Sequence, residues 1–245
     1  AVLREHGIPS LARVVQQGLH QPGLHAEDDL LFALKVLAMY GTTEGADTVL
    51  AAFRSGLQPD SWLWGPTLDQ FKPGHPQAVR VFTELSHALP EGFIAVALLD
   101  AANRYLLEGG DLRHPFDSDA GVARLEAWLK DSDPEHASYA VSATAALPFL
   151  NHPARLDLLR IATAHGDPAV ALEGAWALAK GEDEAGIAAL ACHCLDLNNS
   201  IQARKYLEEL GRADAIPEAA LAPDFAARAE FAQWLAHPCE LGRVP

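Results

Sequence analysis

Cations are scarce in this chain. Its 245 residues carry 18 Lys+Arg against 33 Asp+Glu, a formal net charge of −15. A surface that captures nucleic acid or an anionic membrane needs a cationic excess, so neither partner is expected. Cysteine is scarce too. Three residues, Cys192, Cys194 and Cys239, make no disulfide framework in this length. Long apolar runs are missing. The longest, such as Phe93 to Leu99, fall far short of the roughly 18 residues of a membrane span. Period-2 alternation is absent, and Ala and Leu stand where Val and Ile would mark strands, so no sheet is expected. The opening residues lack a basic stretch followed by a small-residue cleavage site, and unpaired thiols fit a reducing compartment. The expected location is cytoplasmic. The chain opens at Ala1 rather than Met and stops at Gly242-Arg243-Val244-Pro245, as expected of a piece of a longer protein.

What is abundant is apolar and helical. Hydrophobic residues make up 49%, too many for wholesale disorder and largely Ala and Leu. Two stretches share one grammar. Asp133-Pro134-Glu135 opens a run ending near Gly166, and Asp167-Pro168-Ala169 opens the next. Each continues as an Ala-rich helix, a short polar break and a second helix. In the first the helices are Pro134 to Leu147 and Ala154 to His165; in the second, Pro168 to Lys180 and Glu184 to Leu195. A third start follows at Asn199-Ser200, with a helix to Leu210 and a stop at Gly211. Asp133 and Asp167 suit N-caps, because a carboxylate accepts from the free amides of the first turn. Proline at the next position loses nothing there. Gly166, Gly181 and Gly211 are expected to end helices in the left-handed conformation. Ile187, Leu190, Ala191, Cys194 and Leu195 recur as one apolar face.

The grammar extends into the N-terminal half. Helices are expected over Glu27 to Tyr40, Thr43 to Ser55 (capped by Thr43), Asp60 to about Phe71, Gln77 to Leu89, and Pro90 to about Leu107. One more, capped by Asp117 or Asp119, runs to Lys130, and the last from Pro223 to Ala236. The expectation is all-α: about twelve to fourteen helices in antiparallel pairs.

Units headed by Asp-Pro, with an Ala-rich first helix and a Leu-rich second, resemble HEAT repeats of the short kind also found in bilin lyases. Unit starts at Asp28, Asp60, Glu91, Asp133, Asp167 and Asn199 are unequally spaced, which suits HEAT better than tetratricopeptide units. Glu173 also falls where a tetratricopeptide unit would have a small residue. The resemblance implies an α-α superhelix: residues 1–26 as a capping segment, then one solenoid over 27–245 of about six helix pairs. Second helices would line a concave, partner-binding side.

Chemistry-bearing clusters are sparse. Cys192-His193-Cys194 has metal-like residue types, but i and i+2 lie roughly 200° apart on a helix, so Cys194 should be buried and Cys192 exposed. Four of eleven histidines, His75, His114, His152 and His237, precede proline and read as loop punctuation. The HEAT-type hydroxylases hold iron with His-Glu dyads, and no His-Glu dipeptide occurs here. HEAT-like DNA glycosylases use a basic concave face, which the net charge opposes. No catalytic triad, phosphate loop or zinc motif appears, so no catalytic residue, metal or cofactor is expected.

Candidate partner-binding residues remain. Trp62 and Trp64 are two apart and cannot share a helix face; one is expected to pack inside, and the other either to pack in the core or between repeats, the commoner fate of such rings, or, if exposed, to anchor a partner. Arg80, Arg124 and Arg160 lie on second helices off the apolar stripes. They would either form a row facing an acidic ligand or pair with local acids such as Glu84, Glu126 and Asp157 on a solvated face. The functional expectation is a non-catalytic, monomeric scaffold that binds a protein, with a bias toward a basic one. Two alternatives are a bilin-lyase-like enzyme or enzyme subunit, and a regulatory repeat domain of a larger protein.

Overall fold

The structure, a computed structural model, describes residues 2–131, 133 and 136–236. Pro134, Glu135, His237 and Cys239, and the reading of the tail to Pro245, lie outside the described residues. Among those described there is no strand. The helices are α1 (Ile8–His20), α2 (Glu27–Met39), α3 (Thr43–Ser55), α4 (Trp64–Leu68), α5 (Ala78–Ser86), α6 (Phe93–Leu107) and α7 (Asp119–Lys130). They continue as α8 (Ala137–Ala146), α9 (Arg155–Thr163), α10 (Pro168–Lys180), α11 (Glu184–His193), α12 (Ser200–Glu209), α13 (Glu218–Leu221) and α14 (Pro223–Ala236).

The chain packs as two units, residues 1–123 with 149–152, and residues 124–148 with 153–245; the division falls inside α7. In the first unit, helices pack on their second neighbours in two rows. α1, α3 and α5 form one row, and α2, α4 and α6 the other, with α2 joined to both α1 and α3. The core is filled by Leu31, Leu34, Leu37, Trp64, Phe71 and Phe82, all at most 1% exposed. In the second unit α10 is central, touching α8, α9, α11 and α12. Small residues allow this. A Cβ at Gly186 of α11 would overlap the backbone at Ala179 of α10, and one at Gly174 would crowd Ala162 and Thr163 at the end of α9. Alanine and glycine faces bring helix axes close, and dispersion contacts grow accordingly.

Helix ends follow local chemistry where the cap lies next to its helix. Asp167 Oδ1 accepts from the amides of Ala169 at 2.8 Å and Val170 at 3.4 Å, with Pro168 first in the helix. Asp183 caps α11 through Ala185 at 2.8 Å. Gly56 and Gly211 end their helices at φ +70°. Gly181 does not: its φ is −83°, and the left-handed position passes to Glu182 at +62°. Gly166 likewise keeps an ordinary φ.

Other ends differ from the expected ones for a tertiary reason. α3 is capped by Thr42, which accepts from Gly45 at 3.1 Å, one residue earlier than expected. Asp60 does not start a helix. Its carboxylate accepts from the amide of Phe93 at 3.2 Å, and Pro59 O accepts from Ile94 at 2.8 Å, so the pair caps α6 instead. α6 therefore begins at Phe93 rather than Pro90, and α4 shrinks to five residues. Ser118, not Asp117 or Asp119, caps α7 by accepting from Gly121 at 3.2 Å.

Polar contacts within the units recur at one sequence separation. Arg80–Asp47, Phe93–Asp60, His152–Asp119 and Tyr206–Glu173 each join residues 33 apart. Gln77–Thr43 and Asn151–Asp117 join residues 34 apart.

Candidate functional site

Trp64 is the inward tryptophan. It is 0% exposed, packs edge-on against Phe53 and donates from Nε1 to the carbonyls of Leu57 (3.1 Å) and Gln58 (3.2 Å). Trp62 is the outward one, 65% exposed. Arg80 pairs with Asp47, and Arg160 with Asp157 at 2.6 Å. Arg124 is half-buried on α7. Glu84 pairs with Arg54 at 2.8 Å and Glu126 with Lys130 at 2.5 Å. Arg80 and Arg160 thus have acids beside them, as exposed ion pairs of small individual worth.

The histidine–proline turns do more than punctuate. His75 Nδ1 accepts from the Gln77 amide at 3.2 Å while Nε2 donates to Ala38 O at 2.8 Å, clamping the turn to the end of α2. His114 repeats the device inside the core. Nδ1 accepts from Phe116 at 3.2 Å, so Nε2 carries the proton and donates to Asn103 Oδ1 at 3.0 Å. Burial holds its pKa down at about 3, against an upward pull from Asp117. Asp117, itself buried, takes Arg113 Nε at 3.1 Å and the Asn151 amide at 3.0 Å. Cys194 is buried and Cys192 exposed, so the two thiols diverge as their spacing requires. Burial pushes the Cys194 thiol up to about 11, which leaves it inert at neutral pH.

Sequence reasoning missed two features. The first is on α2. Leu30, Leu31, Leu34, Leu37 and Ala38 are buried, as a core-facing stripe should be. Phe32 (53%), Val36 (38%) and Met39 (55%) are exposed, at i, i+4 and i+7 on the opposite side. Asp28, exposed one turn earlier at i−4, heads this second stripe. The signal was present in the sequence as an apolar pattern too wide for one face.

The second is in the second unit. Glu173 on α10 lines a cavity of about 310 Å³ with Asn198, Asn199, Gln202 and Gln233. Glu173 Oε1 accepts from the Tyr206 hydroxyl of α12. Among the described residues no donor reaches its other oxygen. Burial pushes the Glu173 carboxyl up to about 7, with the Tyr206 hydrogen bond pulling it down. Burial, followed by the neighbouring Glu173 charge, drives the Tyr206 phenol well above its ordinary range. A raised carboxyl favours folding below its ordinary value of 4.5 and weakens it as pH rises to about 7, because the folded chain keeps a proton that the unfolded chain has released. Glu173→Gln keeps the shape and an acceptor for Tyr206. It should stabilise the chain at pH 8 by on the order of 2–3 kcal/mol and lose that advantage at pH 4. Urea unfolding at both pH values measures this; equal stability of the two proteins at pH 8 would refute the burial account.

Among the described residues no helix is long and apolar enough to cross a membrane, and no three His, Cys, Asp or Glu residues gather as metal ligands. No protein-family model, curated protein or solved structure matches the chain.

Proposed function

We propose that the chain is a HEAT-like helical-repeat module whose role is to bind a protein partner, and that the partner presents a basic amphipathic helix to α2. The repeat reading is supported by the common 33-residue separation of four lateral contacts, with the two rows of alternate helices in the first unit. Stacked repeats place equivalent positions side by side at one period. The binding reading is carried by the exposed stripe Phe32, Val36 and Met39. Helix-in-groove recognition uses this spacing of apolar anchors. Asp28 on the same stripe, Glu27 and Asp29 beside it, and the net charge of −15 complement a basic flank.

The test uses a synthetic helical peptide with leucines at i, i+4 and i+7 and flanking lysines, against a scrambled peptide of the same composition. Fluorescence anisotropy should show saturable binding of the first only, weakened by salt. The double substitution Phe32→Glu with Met39→Glu should weaken it by about tenfold or more. Equal binding of the scrambled peptide, or an unchanged affinity in the double variant, would remove α2 as the docking face. Proteins captured by the wild-type chain and lost by that variant would then identify the natural partner.

A further inference from the structure

The Glu173 cavity lies in the second unit and calls for a ligand of its own. The cavity is bounded by α8, α10, α12 and α14 and the turn before α12. None of its described lining residues is Lys, Arg or His. Among the described residues, half-buried Glu173 therefore faces it without a counter-charge, and a carboxylate partly drawn out of water without one is costly. Its hydrogen-bonding state is asymmetric. Oε1 is taken by Tyr206, which in turn interacts with Gln202, and the other oxygen has no described donor. Side-chain amides of Asn198, Asn199, Gln202 and Gln233 supply carbonyl acceptors around it. Asn199 Nδ2 already reaches Pro168 O and His193 Nδ1, both at 3.4 Å, which leaves its carbonyl to accept. Val141, Leu172 and Ile201 provide an apolar wall.

We propose that this cavity binds a primary alkylammonium group, with the open oxygen of Glu173 and the surrounding amide carbonyls accepting its three N–H donors. The alternatives fit less well. A guanidinium seeks both carboxylate oxygens at once, and Tyr206 holds one of them. A quaternary ammonium seeks a cage of aromatic rings, and none of the described lining residues is aromatic. A divalent metal needs more anionic oxygens than one carboxylate provides. The volume, near 310 Å³, sits at the small end of ligand pockets and suits a short amine or a single lysine side chain. At pH 8, above its value of about 7, Glu173 is already ionised and meets the ammonium as a carboxylate; below that value, binding releases its proton to solvent. The site stands independently of the α2 face, so either reading can fail alone.

The experiment is titration of the full chain at pH 8, followed by amide NMR and calorimetry, with n-butylammonium chloride and with Nα-acetyl-lysine methylamide. At least one should bind saturably, shifting the amide signals of residues 198–202. If n-butylammonium binds more tightly, the occupant is a free amine; if the lysine amide does, it is a lysine side chain of another protein. Glu173→Gln should weaken binding by about tenfold or more while remaining folded and no less stable. Methylguanidinium and n-butanol should not compete. No saturable binding of either amine, unchanged binding in Glu173→Gln, or equal binding of methylguanidinium would overturn the proposal.

Discussion

Trp64→Ala should cost about 3–5 kcal/mol of folding stability, and Trp62→Ala less than about 0.5 kcal/mol. The two residues stand on either side of Leu63, yet their surroundings differ entirely. Trp64 is sealed between α3 and the turn at Leu57 and Gln58, where its indole N–H bridges two carbonyls at 3.1 and 3.2 Å. Removing the ring leaves a cavity and two carbonyls with one donor fewer. Trp64→Phe, which refills part of the volume without the N–H, should fall between. Urea midpoints measured with an unchanged slope give the comparison. Of the five tryptophans, acrylamide should quench Trp62 in a variant that keeps it alone and spare Trp64 in the corresponding variant. A loss below about 1 kcal/mol in Trp64→Ala would show that the ring is not the anchor its burial implies.

Lowering the pH from 7 to 5 should cost about 2 kcal/mol through His114 alone, and continued acidification toward pH 3 up to about 4–5 kcal/mol. The ordinary histidine value is 6.5, and burial brings His114 to about 3. Between these values the unfolded chain takes up a proton that the folded chain refuses. Stability is therefore complete above 6.5 and is lost as pH falls through that window. The refusal is geometric as well as dielectric. Protonating Nδ1 would break its acceptance from the Phe116 amide at 3.2 Å, in a pocket closed around Asn103. His114→Asn removes the titration. It should be less stable than the wild type at pH 7 and show a flatter profile between pH 7 and 5. His193, also lowered by burial, stays in both proteins, so the difference between the profiles isolates His114. Parallel profiles would refute the assignment.

These two residues show how far the sequence could be read. Helices whose start signals are local appear where the pattern puts them. α10 runs over Pro168–Lys180 because Asp167 caps it and Pro168 fills its first position, and α14 runs over Pro223–Ala236. The region before α4 carried equally good signals and did not follow them. Asp60 was taken by Phe93, 33 residues on, and a carboxylate oxygen that caps another helix is not free for its own. The spacing of Trp62 and Trp64 put them on different faces, but nothing within a few positions says whether either is exposed or which of them meets Phe53. The outward stripe on α2 was hidden in an apolar helix whose two faces look alike until α3 and α4 cover one of them.

Glu173 marks the same limit at a site. In the sequence it is one acid in an Ala-rich helix, unusual only in breaking a small-residue pattern. Its bond to Tyr206 and its cavity, with no cation among the described lining residues, depend on α12 and α14 arriving beside α10. By itself, then, the sequence determined the all-helical class, most helix positions and the net charge of −15, because capping, helix period and charge act within a turn or over the whole composition. Tertiary structure alone decided which tryptophan is buried, which histidine stays neutral and which carboxyl faces a cavity. Those properties depend on loss of water and on tertiary partners, such as Phe53 for Trp64, Asn103 for His114 and Tyr206 for Glu173, and local pattern encodes neither.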